Sequence, residues 1–316
     1  MKSESGVPPY SELRYIEELS GRVSWGVFGD NDDLGTVRFI ETPEVVAAAA
    51  EIKRGDRFSL SLPLNEPNPP PGDRQIYRHH IVRPTRNTQD DWLDGFYLSA
   101  STQLDGLRQV QAREFGFYNG VKPEDAGPEG ARLGIEHWAT FGIMTRGVLV
   151  DVEHWVKTNG GTVSPGEAFT VTPPMLQEVL DSQKVTIRKG DVLLIRTGYL
   201  EAFRAATAQE QSRWDYRAGC PGLAGSEDMA EWFWDNKIAA VCADTPSVEV
   251  RPGDPELGSL HRRAIAMLGM PLGELFDLEA LAKDCHTDGR FTAFFVAAPL
   301  NLPGGAATPA NAMACK

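Results

Sequence analysis

The chain has 316 residues, of which 41% are apolar and 24% charged, and its formal net charge is −13 at pH 7. This composition is typical of a folded protein with a sizeable core and excludes a disordered chain. Nucleic acids and anionic membranes bind cationic surfaces, so neither is expected as a partner. A small anionic substrate would need a local cluster of Arg or His residues.

The four cysteines form no C-x-x-C pair, so neither a structural zinc site nor a redox dithiol is indicated. The first six residues lack the apolar region of a secretory signal, and no run of about 18 apolar residues predicts a membrane helix. We therefore expect a cytoplasmic protein with unpaired thiols.

The N-terminal part predicts a helical pattern over 13–19 and an Ala-rich helix over 44–53. Residues 58–64 alternate apolar and polar side chains, which predicts a half-buried strand. The proline-rich segment 65–72 predicts a loop. Its position near the motif described below makes it a candidate pocket rim or dimer contact.

In the rest of the chain, short apolar runs alternate with helical patterns. Pro173 is expected to begin a helix with Thr172 as its N-cap, and residues 259–269 also have helical spacing. Strands are predicted at 147–152, 192–198, 238–243 and 291–298. This alternation predicts an α/β fold.

Residues 99–109 follow the outline His-x-Gly-Thr-His-x-Asp-x-Pro-x-His without its imidazoles. Thr102 and Asp105 are in place, whereas Ser99, Gln103 and Gln109 replace the three histidines. The stretch resembles the motif of the putative cyclase superfamily, which includes kynurenine formamidase, isatin hydrolase and trans-dienelactone hydrolase. It is similar to a longer branch with a Ser-Thr-Gln-x-Asp form of the motif.

The resemblance continues in matching order along the chain. The similar blocks are 134–151, 189–198, 243–249 with His261, 273–279 and 297–305. It implies a swivelling β/β/α fold, with mixed sheets flanked by helices, in a homodimer or homotetramer. We expect residues 57–316 to form one cyclase-like catalytic domain, preceded by an N-terminal helical extension of residues 1–56.

The family chemistry implied by the resemblance is water attack on an amide or ester carbonyl, usually helped by a metal. The motif positions expected to ligate hold Ser99, Gln103 and Asp105, and serine hydroxyls and amide oxygens are poor ligands for zinc or manganese. The leading expectation is therefore catalysis without a metal or other cofactor. If a metal binds, Mn²⁺ or Zn²⁺ is expected, and Asp105, His80, His137 and His261 could converge to hold it.

The catalytic candidates are Asp105, His261, Glu274 and Gln103. The resemblance aligns His261 and Glu274 with the family's downstream acid/base pair. Our hypothesis is that His261, oriented by a carboxylate, deprotonates water, and that Gln103 helps to bind the developing oxyanion. Asp105 could act as a base, nucleophile or orienting group, or simply cap a turn.

Six further residues are candidate substrate contacts: Ser99, Thr102, Gln109, His80, His137 and Arg196. Thr102 could equally bond to loop backbone, and His137 could be structural. Arg196 could hold a substrate carboxylate with both nitrogens or pair with an internal Asp.

The sequence thus predicts a hydrolase that opens a cyclic amide, imide or lactone, or cleaves a formamide-type bond in a small molecule. The alternatives are a metal-dependent amidohydrolase with replaced ligands, a lyase, dehydratase or cyclase using the same pocket, and a non-catalytic small-molecule binder.

Overall fold

The computed structural model describes residues 6–127 and 132–316. The strands within them are β1 (Arg14–Ile16), β2 (Gly21–Val23), β3 (Arg57–Ser59), β4 (Arg78–Thr85), β5 (Thr88–Asp94), β6 (Gln103–Asp105), β7 (Ile143–Asp151), β8 (Thr170–Val171), β9 (Val192–Arg196), β10 (Gly222–Leu223), β11 (Ala240–Ala243), β12 (Leu272–Glu274), β13 (Thr292–Ala297), β14 (Ala307–Pro309) and β15 (Met313–Cys315).

The α-helices of the same residues are α1 (Thr42–Ala49), α2 (Glu136–Phe141), α3 (Val152–Thr158), α4 (Pro173–Ser182), α5 (Tyr199–Ala205), α6 (Ala208–Gln211), α7 (Glu227–Asp235) and α8 (Glu279–Asp288). A π-helix covers Arg262–Leu268. Short 3₁₀ turns lie at Tyr10–Glu12, Glu17–Leu19, Gly35–Phe39, Arg113–Phe115 and Tyr118–Gly120.

One mixed sheet organises the molecule, with the strand order β14-β6-β12-β11-β9-β7-β13-β15-β3. The central strands β12, β11, β9 and β7 are parallel, and the strands on both sides of them pair antiparallel. Strand β9 is buried at every residue, as expected for the apolar run of a central parallel strand. Strand β13 alternates buried and half-buried residues. The prediction of an α/β fold with a mixed sheet flanked by helices is confirmed.

Several element boundaries differ from the sequence predictions. The helical pattern over 13–19 is strand β1 followed by a 3₁₀ turn, because Arg14 and Ile16 pair with Val23 and Gly21 of β2. The predicted strand 58–64 ends at Ser59, where its pairing with β15 stops. The segment 259–269 is mainly a π-helix rather than an α-helix.

The N-terminal segment contacts the π-helix. The backbone nitrogen of Ser24 donates to the Met267 carbonyl at 2.9 Å, and the indole of Trp25 donates to Ala266 at 2.8 Å. The guanidinium of Arg263 donates back to Ser20 at 2.9 Å. These bonds hold the π-helix from outside the sheet. The domain boundary at residue 57 stays a prediction.

The β4–β5 hairpin is exposed over nearly its whole length. Its apolar side chains are exposed too, including Ile81 at 57% and Trp92 at 51%. Among the helices of the described ranges, none is long and apolar enough to cross a membrane.

Candidate active site

Strands β6 and β12 bring three of the predicted catalytic residues to one face of the sheet. Gln103 lies directly opposite Glu274, and Asp105 lies opposite Leu272. Because side chains alternate along a strand, Gln103 and Asp105 point to the same side as Glu274. The Gln103 amide nitrogen donates a short hydrogen bond to Oε2 of Glu274.

The backbone around Glu274 is tightly determined. A Cβ at Gly273 would lie 2.6 Å from Sγ of Cys242, so no side chain fits there. Leu275 adopts a left-handed conformation, with φ of 57°, which ends the strand. Its nitrogen donates to Thr245 at 3.0 Å, and its carbonyl accepts from the Thr102 hydroxyl at 2.5 Å. These contacts hold Glu274 in place.

His261 directly precedes the π-helix, and its imidazole lies close to the carboxylates of Glu274 and Asp105. Its Nε2 lies 3.3 Å from Oε1 of Glu274 and 3.8 Å from Oδ2 of Asp105. The imidazole is 14% exposed. Short π-helical segments are often found at functional sites, and here one positions the imidazole.

Glu249 contacts the Nδ1 atom of His261 and orients the imidazole ring. Its Oε1 is 2.9 Å from Nδ1 of His261 and 2.8 Å from the guanidinium of Arg251. Its Oε2 accepts a short hydrogen bond from the Leu260 nitrogen. When Nδ1 donates to this carboxylate, the lone pair of Nε2 faces Asp105 and Glu274.

The buried carboxylate of Asp105 lacks hydrogen-bond partners. It is 1% exposed, and neither carboxylate oxygen has a hydrogen-bond partner. Burial, and next to it the charge of Glu274, raise the pKa of Asp105 to about 7. His261, Gln109 and Arg74 act in the opposite direction, although Gln109 forms no hydrogen bond of normal geometry with either oxygen.

The carboxylates around His261 favour its protonated form when no cation is bound. Burial lowers its pKa, but the hydrogen bonds to Glu249 and Glu274 outweigh burial and raise the pKa to about 10. A protonated imidazole cannot accept a proton from water. A general-base role for His261 would need the neutral imidazole, so that role stays a prediction, and Asp105 is the alternative base among the predicted residues.

Asp105, His261 and Glu274 also form a candidate cation site. One ligand atom from each residue lies within 4.8 Å of the ligand atoms of the other two. Within residues 6–127 and 132–316, these three side chains form the cluster of His, Cys, Asp or Glu residues that could hold a metal ion. His80 and His137, considered for the same role from the sequence, are not part of it. Glu274 completes the set instead.

The other motif residues have distinct surroundings. The Thr102 hydroxyl accepts from the Leu62 nitrogen at 2.9 Å and donates to the Leu275 carbonyl, so it connects two backbone segments rather than facing a substrate.

The Gln103 side-chain nitrogen is bound to Glu274, which leaves the buried Oε1 of Gln103 without a partner. In this conformation Gln103 offers an acceptor to a ligand rather than the predicted oxyanion donor. Ser99 lies half-buried in a turn, and the predicted substrate contacts of Ser99 and Gln109 stay predictions.

The predicted substrate contact of Arg196 is corrected. All its nitrogens are engaged by carboxylates at 2.7–3.0 Å, which belong to Asp151, Glu153, Glu201 and Glu279. No donor is left for a substrate carboxylate.

The two remaining histidine candidates lie in other surroundings. His80 stacks on Trp92 of the exposed hairpin, with ring centroids 4.7 Å apart. His137 lies 3.8 Å from carboxylate oxygens of Asp33 and Glu136. Their predicted roles in substrate binding stay predictions.

Two residues near the site were given no role from the sequence. Glu249 belongs to the matching block 243–249, so a search for the carboxylate that orients His261 could have found it. Arg74 follows the proline-rich loop, and its charge reaches Asp105. The loop was expected to form a pocket rim or a dimer contact, and residues of it line a cavity.

The chain belongs to the family described as Putative cyclase, whose model matches residues 59–250. A search of curated proteins found no match. A crystal structure described as a novel cyclase is 31% identical, with a TM-score of 0.82, and the match covers 93% of this chain and 99% of the other.

More distant structures share the fold. Isatin hydrolase A from Labrenzia aggregata, bound to benzyl benzoate, is 15% identical with a TM-score of 0.56, over 86% of this chain and 97% of the other. A structure described as a predicted metal-dependent hydrolase from Bacillus stearothermophilus is 16% identical with a TM-score of 0.52, over 83% and 98%. The expected cyclase-like fold is thus confirmed.

Proposed function

We propose that this protein is a hydrolase that adds water to the carbonyl carbon of a small cyclic amide, imide or lactone, or of a formamide. The observation that carries the proposal is the buried cluster of Asp105, His261 and Glu274, with Glu249 orienting the imidazole. Membership of the cyclase family and the names of its structural neighbours, isatin hydrolase and metal-dependent hydrolase, support it.

The three residues fit a divalent cation. Asp105 has two buried oxygens without partners, and the Nε2 atom of His261 faces both carboxylates. Two carboxylates and one imidazole are ligands that Mn²⁺ and Zn²⁺ accept, and a three-ligand set leaves room for water. A bound ion would polarise the carbonyl and lower the pKa of water. This favours the metal-dependent alternative over the metal-free expectation, which stays a prediction.

The chain's own residues supply the remaining functions. Glu249 holds the tautomer of His261, and Gln103 fixes the carboxylate of Glu274. In the cation-free form, the pKa of Asp105 near 7 suits a group that takes a proton from water at neutral pH. The oxygen of the water bonds to the carbonyl carbon, the C–N or C–O bond breaks, and the leaving nitrogen or oxygen takes up the proton.

The test is turnover of isatin, a simple lactone and an N-formyl aromatic amine, in water enriched in ¹⁸O. A hydrolase incorporates one ¹⁸O into the product acid. Activity should fall on chelation and return with Mn²⁺ or Zn²⁺. Asp105→Asn should abolish it, whereas the exposed Asp181→Asn serves as the matched control. A product without ¹⁸O would indicate a lyase, and binding without turnover would indicate a binding protein.

A further inference from the structure

A cavity of about 300 Å³ is lined by residues 67 and 69–72 of the proline-rich loop, by aromatic side chains and by Leu275. Its floor includes Leu275, which follows Glu274 in the chain, and Pro246, which follows Thr245. The proline-rich loop, residues 67–72, forms one wall. Leu275 thus links the cavity to Glu274 through one peptide bond, and the charge of Arg74, which follows the loop, acts on Asp105.

Part of the cavity lining is aromatic. The rings of Tyr199 and Phe203 are nearly parallel with centroids 6.2 Å apart, and Trp214 packs against Phe203 at 5.6 Å. Such a lining binds the flat apolar face of a ring. Since a cavity of about 150 Å³ accepts benzene, this one has room for a compound with one or two rings.

Arg74 provides a cation at the edge of this cavity. Its Nη1 donates to the carbonyl of Pro71 at 3.1 Å and lies 4.0 Å from the place of a Cβ on Gly72, and both residues line the cavity. The side chain is half-buried. Within the described part of the chain, no carboxylate forms an ion pair with Arg74, whereas neighbouring Arg217 pairs with Asp73 at 3.3 Å.

Such an arginine is suited to an anionic ligand. Its guanidinium keeps donors free for a carboxylate, which it can bind with two parallel hydrogen bonds. The chain carries a net charge of −13, so an anion would otherwise be repelled. A local cation beside an apolar cavity offsets that repulsion at one point of the surface.

We propose that the cavity holds the ring of the substrate and that Arg74 pairs with a carboxylate carried by that ring. The substrate class is then small one- or two-ring carbonyl compounds bearing a carboxylate. The choice of substrate class rests on the proposed hydrolase function, but ligand binding at the cavity can be measured without turnover.

The test uses two ligands of equal shape, 1-naphthoate and the neutral 1-naphthamide, in calorimetric titrations of the full chain. Wild type should prefer naphthoate. Arg74→Met should raise the Kd for naphthoate about tenfold or more and change the Kd for naphthamide less than about twofold. Phe203→Ala should weaken both ligands. Arg83→Met on the exposed hairpin is the matched control, and Arg74→Gln replaces Arg74→Met if that variant does not fold.

Failure of this inference and failure of the proposed function give different results. Equal binding of the two ligands, absence of binding, or naphthoate binding unaffected by Arg74→Met would overturn the subsite, whatever the turnover. Naphthoate binding that depends on Arg74, in a protein that hydrolyses none of the carbonyl compounds tested, would support the subsite and refute the hydrolase.

Discussion

The Nδ1 atom of His261 lies 2.9 Å from Oε1 of Glu249, so the opposite ring nitrogen is directed at two carboxylates. Glu249 is itself held by Arg251 and by the nitrogen of Leu260. The imidazole orientation is therefore determined by a carboxylate outside the reacting cluster.

Glu249→Gln should weaken cation binding and lower kcat/KM by about 10- to 100-fold, because an amide orients the imidazole less strongly. Titration with Mn²⁺ and steady-state kinetics measure both effects. Glu256→Gln, on a nearby exposed loop, is the control. A Glu249→Gln variant with wild-type Mn²⁺ affinity and turnover would show that the orienting role is absent.

The pH dependence of stability should report the buried Asp105 when cations are chelated. Its pKa is raised from 3.8 to about 7 on folding, so the folded state binds the extra proton. Below pH 3.8 the Asp105 carboxyl is protonated in both the folded and the unfolded state, so it does not change the free energy of unfolding. As the pH rises from 3.8 towards 7, the carboxyl increasingly lowers the free energy of unfolding.

Asp105→Asn removes this cost, so it should raise Tm above that of the chelated wild type by about 2–5 °C at pH 8 and by less at pH 5. Thermal unfolding at both pH values checks this. A variant less stable than wild type at pH 8 in chelator would contradict the unsatisfied charge.

Thr102→Val should cost about 1–3 kcal/mol of unfolding free energy, because the nitrogen of Leu62 loses its buried acceptor and Leu275 loses a donor. Ser99→Ala, in a half-buried turn of the same motif, should cost much less. Denaturant titrations compare the two. Equal effects would mean that the Thr102 hydroxyl does not hold these segments together.

Arg196→Met should destabilise the fold by about 3–5 kcal/mol, because it leaves buried Asp151 and its neighbouring carboxylates without their cation. Because the guanidinium is fully engaged, the folded fraction should keep the KM of wild type. An unchanged stability with a raised KM would restore the substrate role predicted from the sequence.

Fold and site were predictable from the sequence to different extents. Apolar runs such as β9 identify central strands because burial on both faces requires them. Asp105, His261 and Glu274 were predicted by resemblance to the family motifs, since residues so far apart in the chain show no spacing signal.

The partners of Arg196 could not be predicted from the sequence, because carboxylates from helices α3, α5 and α8 meet it only in the folded chain. The unpaired cation of Arg74 likewise depends on how its loop folds over the cavity.

Metal content of tag-free protein, purified without chelator and measured by inductively coupled plasma mass spectrometry, tests the central claim most directly. We predict about one manganese or zinc ion per chain, lost together with activity in Asp105→Asn. Wild-type protein that is folded and hydrolytically active with no bound metal would contradict the cation site and return the chemistry to Asp105 as a side-chain base.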